Sequence, residues 1–338
     1  MKTTIKHITA DVDHYGHLVS VIGELLLQSK IKAYQQVNTL LIQTYREIWK
    51  YIVEYEQKWN EKAEYGSKLF DKLSKDLRNL YGKGFSRSNL IYIRLLYIRY
   101  PISQSLPDQL TRTHLVEIIG IDDKLERSFY EKQCIKEKWS TRELKRQKNS
   151  WLFMRLALSK NKWEILELAH QGQTIIQASD IIKEPYILEF LDLSESYQEK
   201  DLEKSIIDSL QQFLLELGRW FTFVWRQYRI TLWNEHYYVD LVFYHRILKC
   251  FVLIDLKVNK ATHLDIGQMN MYLNYFNKEE RVEWDNESIG IILSADKDEA
   301  QVEYALWWIT NQLFVSKYQL YLPDKETLQA QLQHLLNS

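Results

Sequence analysis

The spacing of apolar residues changes at Gly218, and this change limits the folds that the chain can adopt. Up to that glycine, apolar residues recur at helical spacing, most clearly over residues 202–217, where they line one side of an amphipathic helix. Beyond it, apolar residues follow a period of two, which predicts three strands at residues 220–230, 237–244 and 250–257. The chain is therefore predicted to change from helices to a sheet at this point.

The elements after these strands complete the predicted sheet domain. The gaps between the first three strands are short enough for antiparallel hairpins. Further along, the pattern predicts a helix, a strand, a helix, a short strand and a final helix, at residues 265–275, 288–293, 299–312, near Phe314 and 325–336. We thus predict an α+β chain of two domains, with a mostly α-helical N-terminal domain and a C-terminal αβββαβ core that contains a mixed sheet.

The first part of the chain is predicted to consist of long helices, because the 338 residues include only ten Gly and four Pro. The polar and acidic stretch LDLSESYQEKD marks a predicted linker at residues 186–200, between a helical domain at 1–185 and a second domain at 201–338. The N-terminus lacks the apolar core of a signal peptide, and no stretch has the ~18 apolar residues of a membrane span. We therefore predict a cytoplasmic protein without a membrane segment.

Three charged residues lie within the apolar strands, where an isolated charge is costly. Asp240 lies in the second strand, fifteen residues before Asp255 in the third, and Lys257 follows Asp255 by two residues. Residues two apart in a strand share a face, so Asp255 and Lys257 are expected to point the same way. If the strands form a hairpin, the carboxylates can bind Mg²⁺ or Mn²⁺, with Lys257 beside an attacking water. The alternative is an Asp–Lys ion pair at a strand end, with Asp240 exposed at a sheet edge.

Four further residues are candidates for the same site. Gln268 and Tyr272 share a face of the following helix, where they could contact a phosphate or a metal-bound water; the alternative is a polar face turned to solvent. Glu203, near the start of the helix before the strands, is the candidate third metal ligand, although the helix dipole also favours a negative charge there. Glu216, near the end of that helix, is the second choice.

Basic residues of the helical part could bind a nucleic-acid backbone. Arg142, Lys145 and Arg146 form a stripe at helical spacing within KEKWSTRELKRQKNS, and Arg87 follows the predicted N-cap Ser86. The alternative is a solvated helix face, which is the commoner meaning of such a run. The formal net charge of −1 counts against a general basic surplus, so nucleic-acid binding would need a local basic face.

Several blocks of the sequence occur in the order found in one protein family. They are VNTLLIQTY, YGSKLFDKLSKDL, KGFSRSNL, RSFYEKQCIKEKWSTRELKRQ, LEKSIIDSLQQFLLELG, RQYRI, YYVDLVFYHRILKCFVLIDLK, GQMNMYLNYF and ESIGIIL. Over nearly its whole length the chain resembles YhcG-type proteins, whose C-terminal domain is a nuclease domain of the PD-(D/E)XK superfamily. Val239 stands in place of the proline of the name motif, and Asp255 in place of the glutamate that is usual in the family.

The resemblance implies a restriction-endonuclease-like core and a metal-dependent bacterial nuclease that hydrolyses phosphodiester bonds in DNA. It places Asp240, Asp255 and Lys257 at the catalytic motif, and Gln268 and Tyr272 at the Gln-x-x-x-Tyr helix motif of RecB-type members. The helical domain would bind DNA or a partner, such as a second copy of the chain in a homodimer or proteins of a defence system. Two alternatives remain open: a nuclease fold that binds DNA or protein without useful catalysis, and a nuclease directed at RNA.

Overall fold

A computed structural model describes residues 4–59, 65–100, 109–193, 196–307, 309 and 312–337. The chain divides into two compact units. One is formed by Met1–Arg127 with Cys134–Leu144, and the other by Ser128–Gln133 with Lys145–Ser338. No helix within the described ranges is both long enough and apolar enough to cross a lipid bilayer.

The first unit is helical, as the sequence predicts. Its helices are α1 (Thr4–Trp59), α2 (Tyr65–Tyr81), α3 (Arg87–Arg99), α4 (Arg112–Ile119), and parts of α5 (Lys124–Glu137) and α6 (Thr141–Asn149). Trp49 of α1 stacks on Phe70 of α2, with ring centroids 5.6 Å apart, and Leu90 and Ile93 of α3 are buried in the same cluster. Three helices of this unit therefore share one apolar core.

The second unit combines helices with a mixed sheet. Its helices are α7 (Leu152–Ala157), α8 (Lys162–Gln171), α9 (Glu199–Asp208), α10 (Leu210–Leu217), α11 (His263–Tyr275), α12 (Glu299–Leu306) and α13 (Lys325–Asn337). Its strands are β1 (Tyr186–Ile187), β2 (Phe221–Leu232), β3 (Glu235–His245), β4 (Cys250–Lys260), β5 (Ile289–Asp296) and β6 (Leu313–Gln319). Among the described residues the strand order is β1-β6-β5-β4-β3-β2; β2, β3 and β4 pair antiparallel, and the other neighbours pair parallel.

Helices cover both faces of this sheet because its inner strand β4 is apolar on both sides. Alternate residues of β4, such as Ile254, belong to a core cluster that also contains Leu202 of α9. Leu253, from the opposite face of β4, belongs to a second cluster together with Met269 of α11. Because side chains alternate along a strand, Asp255 is expected on the same side as Leu253, towards α11.

Most elements lie where the sequence predicts them, with three differences. The helix predicted at 202–217 is two helices, α9 and α10, which meet at Ser209, where φ −111° and ψ 30° leave the helical range. The helix predicted at 299–312 ends at Leu306. No sequence pattern predicts β1, because two residues are too few for a periodic signal; it lies within residues 186–200 and pairs with β6. The domain boundaries inferred from the sequence stay a prediction.

The last residue of β3, His245, is buried in its neutral form. Its Nδ1 accepts a hydrogen bond from Leu248 N at 3.1 Å, and its ring lies edge-on to Phe221, with centroids 4.8 Å apart. Burial lowers the pKa of His245 to about 4. Since this pKa is below that of an unfolded histidine, the stability contributed by the neutral ring is present above about pH 6.5 and is lost as the pH falls towards 4.

We predict that His245→Asn reduces the loss of stability between pH 6.5 and pH 4. Asparagine keeps an acceptor for Leu248 N but does not titrate, so the wild-type chain should lose up to about 3 kcal/mol more than the variant over this interval. Urea unfolding at several pH values, followed by circular dichroism, measures the difference. An equal pH dependence of both proteins would contradict the role given to His245.

Candidate active site

Asp240 and Asp255 come from neighbouring antiparallel strands and lie opposite each other. The register of β3 and β4 pairs Leu241 with Ile254, so the next position brings Asp240 beside Asp255. Asp240 Oδ2 also accepts a hydrogen bond from the backbone N–H of Leu256 on β4, at 2.8 Å. Strand β3 lies between β2 and β4, so Asp240 is not at a sheet edge. The hairpin register therefore brings the two carboxylates together.

Lys257 lies on the same side of β4 as Asp255. Its Nζ atom is 2.8 Å from Asp255 Oδ2, 3.8 Å from Asp265 Oδ1 and 4.0 Å from Glu199 Oε2. Asp265 belongs to the first turn of α11, and Glu199 begins α9. The ammonium group is therefore surrounded by three carboxylates that come from β4 and from the helices on the two sides of the sheet.

The carboxylates lie in surroundings that disfavour their charge. Burial, followed by the charge of Asp255, raises the pKa of Asp240 to about 7. Burial also raises the pKa of Asp255, which is 4% exposed, against the opposing effect of Lys257. Burial lowers the pKa of Lys257, but the nearby carboxylates outweigh it, so this pKa lies above its usual value. Lys257 is therefore an ammonium at neutral pH in the metal-free chain.

Glu203, the predicted third ligand, is joined to Asp240 through a side chain that the sequence does not single out. Gln227 Nε2 on β2 donates hydrogen bonds to Glu203 Oε2 at 2.9 Å and to Asp240 Oδ1 at 2.8 Å. Arg226 Nε lies 2.5 Å from Glu203 Oε1, and Glu203 itself is buried. Both oxygens of Glu203 therefore have protein partners, and the amide of Gln227 links the two carboxylates.

A hairpin register would have identified Gln227. The pairing of Tyr228 with Val239 across the hairpin places Gln227 opposite Asp240. The sequence does not predict the backbone conformation of Gln227. Its φ is 50°, in the left-handed region that residues other than glycine, asparagine and aspartate rarely adopt. Strained backbone of this kind is concentrated at functional sites, where the surrounding contacts hold it.

Asp240 and Asp255 fit a hard divalent cation by the chemistry of their donor atoms. Mg²⁺ is usually held by one or two carboxylates, with water and phosphate oxygens completing its shell. A cation would also offset the repulsion through which Asp255 raises the pKa of Asp240. Within the described residues, no group of three or more His, Cys, Asp or Glu side chains is arranged to hold a metal. The donors that fit are thus two carboxylates rather than a full cage of protein ligands.

Gln268 and Tyr272 lie on α11 and connect that helix to β3. Gln268 Nε2 donates to Tyr272 Oη at 2.6 Å, and Tyr272 Oη donates to the carbonyl oxygen of Tyr238 at 3.0 Å. Burial, followed by the charges of Asp255 and Asp240, raises the pKa of Tyr272 to about 12. Tyr272 is fully buried, so it does not belong to a solvent-facing helix surface, and its hydroxyl fixes α11 beside Asp240. Substrate binding by these two residues stays a prediction.

Glu216, the second choice for a metal ligand, lies in a different group of contacts. Its carboxylate pairs with the guanidinium of Arg155, and its Oε1 accepts a hydrogen bond from Ile187 N at 3.0 Å. Lys183 Nζ lies 3.9 Å from Glu216 Oε2. Arg155 and Lys183 are both buried, so Glu216 serves as the counter-charge of two buried cations. The two glutamates on α9 and α10 thus lie in different groups of contacts, and metal binding by either of them stays a prediction.

The basic residues predicted to bind phosphate lie on α3 and α6, which precede the strands of the sheet in the chain. Arg142, Lys145 and Arg146 follow one another along α6, where the first two are exposed and Arg146 is half-buried. Arg87 begins α3, and its Nε pairs with Asp71 Oδ1 at 2.9 Å on an exposed surface. Phosphate binding by these four residues stays a prediction.

Comparisons with known proteins match both parts of the chain. The family model described as the YhcG PDDEXK nuclease domain matches residues 179–333, and the DUF1016 N-terminal domain matches residues 21–155. The curated protein "Putative nuclease YhcG" of Escherichia coli (strain K12) is 35% identical over 350 residues, which cover 94% of this chain and 93% of that protein. The relationship therefore extends over nearly the full length of both proteins.

Solved structures show a more distant likeness. A repair endonuclease from Pyrococcus abyssi is 19% identical, with a TM-score of 0.27, over 38% of this chain and 50% of that chain. A complex of EndoMS with double-stranded DNA is 15% identical, with a TM-score of 0.26, over 40% of this chain and 50% of that chain. The chain thus spans about half the length of these structures, and its family rests on the sequence matches. It belongs to the YhcG family, with a DUF1016 N-terminal domain followed by a PDDEXK nuclease domain.

Proposed function

We propose that this chain hydrolyses phosphodiester bonds in DNA, with Mg²⁺ or Mn²⁺ held by Asp240 and Asp255. One observation carries the proposal: the buried carboxylate of Asp255 and the half-buried carboxylate of Asp240 lie opposite each other on neighbouring strands, beside the ammonium of Lys257, in a chain of a nuclease family. An Asp–Lys ion pair alone does not account for Asp240, whose pKa is raised to about 7 by burial and by the charge of Asp255, so that a further cation beside the two carboxylates is favoured. DNA is the substrate that the family resemblance implies.

Each residue of this site has a distinct task in such a reaction. The cation, when bound, would neutralise charge on the scissile phosphate and acidify an attacking water. Asp240 and Asp255 would hold it. Lys257 keeps its proton, so it donates hydrogen bonds, either to orient a water or to stabilise negative charge that develops on the phosphate. Gln227 and the backbone N–H of Leu256 fix the two oxygens of Asp240.

A cleavage assay tests the proposed function. The wild-type chain should cut DNA in Mg²⁺ or Mn²⁺ and not in EDTA, and a circular substrate separates internal cuts from cuts at strand ends. If cleavage survives both Asp240→Ala and Lys257→Ala, these residues do not form the active site. An RNA of matched sequence serves as the parallel substrate, and faster cleavage of that RNA would favour the RNA-directed alternative.

A binding function without catalysis is the second candidate, and one observation favours it. Both oxygens of Glu203 are already bonded to Arg226 and Gln227, so a cation would have to use their remaining lone pairs or compete with these partners. Calorimetric titration with Mn²⁺ separates the two functions. Stoichiometric metal binding together with turnover supports the nuclease, whereas DNA binding with no metal-dependent turnover supports the binding protein.

We predict that Gln227→Ala weakens Mn²⁺ binding by about tenfold, the usual size of effect when a hydrogen bond to a metal ligand is lost. The variant removes the amide that links Glu203 to Asp240 and leaves Asp240 Oδ1 without this donor. Isothermal titration measures the affinity. Gln212→Ala, at an exposed glutamine of α10, is the matched control. If both variants bind Mn²⁺ as tightly as the wild-type chain, Gln227 does not position Asp240.

A further inference from the structure

The hairpin of β2 and β3 extends beyond the candidate active site and exposes one of its faces. We call residues 229–238 the hairpin arm. Ile230, Leu232 and Tyr237 of the arm pack into the core cluster that contains α11. The residues between them point the other way, and Trp233, at the turn, is 97% exposed. One face of the arm is thus held by the core while the other is free to bind.

The free face combines aromatic rings with positive charge. Cross-strand pairing brings Arg229 beside Tyr238 and Thr231 beside His236, and these four residues are exposed. The one acidic residue in the arm, Glu235, accepts a hydrogen bond from Tyr237 Oη. Aromatic rings beside an arginine form the kind of surface on which unpaired bases stack while the cation attracts the phosphate backbone. The charge and the rings therefore match a nucleic-acid strand.

A second copy of this chain fits the same surface less well. Strand β2 is the edge of the sheet, so it could in principle pair with another strand. Its register shifts between Phe223 and Trp225, and Gln227 has a left-handed backbone, so the edge is interrupted twice. These irregularities lie beside the arm, so the regular part of the edge is limited to the short segment at residues 228–232. The binding chemistry of the arm thus lies on its free face and not along its edge.

The arm leads directly to the candidate active site. Tyr238 is two residues from Asp240 on β3, a distance of about 7 Å along a strand. The carbonyl oxygen of Tyr238 accepts the hydrogen bond from Tyr272 Oη, which fixes the base of the arm to α11. Trp233 is seven residues from Asp240, so a strand stacked along the arm would place several nucleotides between the turn and the carboxylates.

We propose that the free face of the hairpin arm binds unpaired bases of a DNA strand, which stack on Trp233 and Tyr238, and that the substrate therefore contains single-stranded DNA beside the scissile bond. The choice of DNA rests on the proposed function. The arm is then a binding subsite that selects single-stranded, splayed or branched DNA over a continuous duplex. Arg229 contributes by pairing with the phosphate backbone of the same strand.

Binding in EDTA tests this subsite without cleavage. The probe is a single-stranded oligonucleotide that carries 2-aminopurine, whose fluorescence falls when the base stacks on an aromatic ring, and a fully paired duplex of the same sequence is the comparison. Trp233→Ala and Tyr238→Ala should each weaken single-strand binding by about five- to tenfold or more. Trp233→Phe, which keeps a ring, should restore most of the affinity and the quenching. Thermal unfolding verifies that each variant is folded.

Trp284→Ala is the matched control. Trp284 is 74% exposed, and it precedes Asp285, which bonds Tyr244 at the other end of β3. The proposal is overturned if Trp233→Ala and Tyr238→Ala bind the single strand as the control does, or if they weaken binding to single strand and duplex equally. It is also overturned if the two variants convert a dimer into a monomer in light scattering, because the arm would then be a protein interface.

The outcomes separate this inference from the proposed function. The wild-type chain and Trp233→Ala are compared on single-stranded and duplex DNA in Mg²⁺ or Mn²⁺. If both proteins cleave both substrates equally, the nuclease function is supported and the binding subsite on the arm is overturned. Ring-dependent quenching in EDTA with no cleavage in Mg²⁺ or Mn²⁺ supports the arm and contradicts the nuclease.

Discussion

Asp255→Asn should abolish cleavage and, at the same time, make the metal-free chain more stable above neutral pH. Asparagine keeps the shape of the side chain but removes one of the two carboxylates that fit a cation. A bound metal contributes several kcal/mol to the stabilisation of charge in phosphate hydrolysis, so its loss should lower kcat by about 10³-fold or more. Isothermal titration of the same variant should show that Mn²⁺ binding is lost together with turnover.

The expected gain in stability follows from the direction of the pKa shift. Burial raises the pKa of Asp255, and the charge of Asp255 helps to raise the pKa of Asp240 to about 7. A raised carboxyl pKa contributes stability that is present below the unfolded value and is lost as the pH rises through the folded value. The two charged carboxylates therefore destabilise the metal-free chain most at alkaline pH. Removing the charge of Asp255 removes the cost of burying it and also lowers the pKa of Asp240.

Thermal unfolding in EDTA at pH 5 and pH 8 measures this effect. Asp255→Asn should raise Tm at pH 8 by a few degrees, since about 1 kcal/mol corresponds to roughly 2–4 °C in a chain of this size class. The gain should be smaller at pH 5. Asp208→Asn, at an exposed aspartate of α9, should change neither cleavage nor Tm. A variant that loses cleavage and is also less stable at pH 8 would mean that Asp255 is needed for the fold rather than for a cation.

The sheet and the central pair of carboxylates could be predicted because both depend on a period of two. Alternation along β3 and β4 identifies the strands, and a short hairpin then places Asp240 directly across from Asp255 on the neighbouring strand. The same alternation predicts that Lys257 lies beside Asp255, and Lys257 Nζ is 2.8 Å from Asp255 Oδ2. These features need only local pattern and the geometry of one hairpin.

Other features of the site depend on contacts that no local pattern contains. The left-handed backbone of Gln227 has no signal in the sequence, and only the register of the β2–β3 hairpin places its amide where it links Glu203 to Asp240. The sequence ranks Glu203 before Glu216 as a metal ligand but does not predict their different contacts, because the break between α9 and α10 separates two residues that a single helix would have carried together. The partner of Glu216, Arg155, lies 61 residues away.

Glu216→Ala should lower the free energy of unfolding by about 3–5 kcal/mol, because it leaves buried cations without their counter-charge. Arg155 is fully buried and also donates from Nε to the carbonyl oxygen of Ser150 at 2.7 Å, so it cannot move to solvent without breaking that contact. Burial lowers the pKa of Lys183 to about 8, and Glu216 is the charge that opposes this shift. Without Glu216, Lys183 loses its proton more readily, so the destabilisation should be larger at pH 6 than at pH 9.

Urea unfolding measures the loss, and the activity of the folded variant decides what Glu216 does. Glu167→Ala, at an exposed glutamate of α8, should leave the midpoint unchanged. A combined variant in which Arg155, Lys183 and Glu216 are all methionine should recover part of the loss, because no buried charge remains. If Glu216 serves the fold alone, folded Glu216→Ala still binds Mn²⁺ and cleaves DNA at the wild-type rate. Normal stability with a loss of Mn²⁺ binding would instead make Glu216 the metal ligand and would require a rearrangement of the contacts that now bind its carboxylate to Arg155.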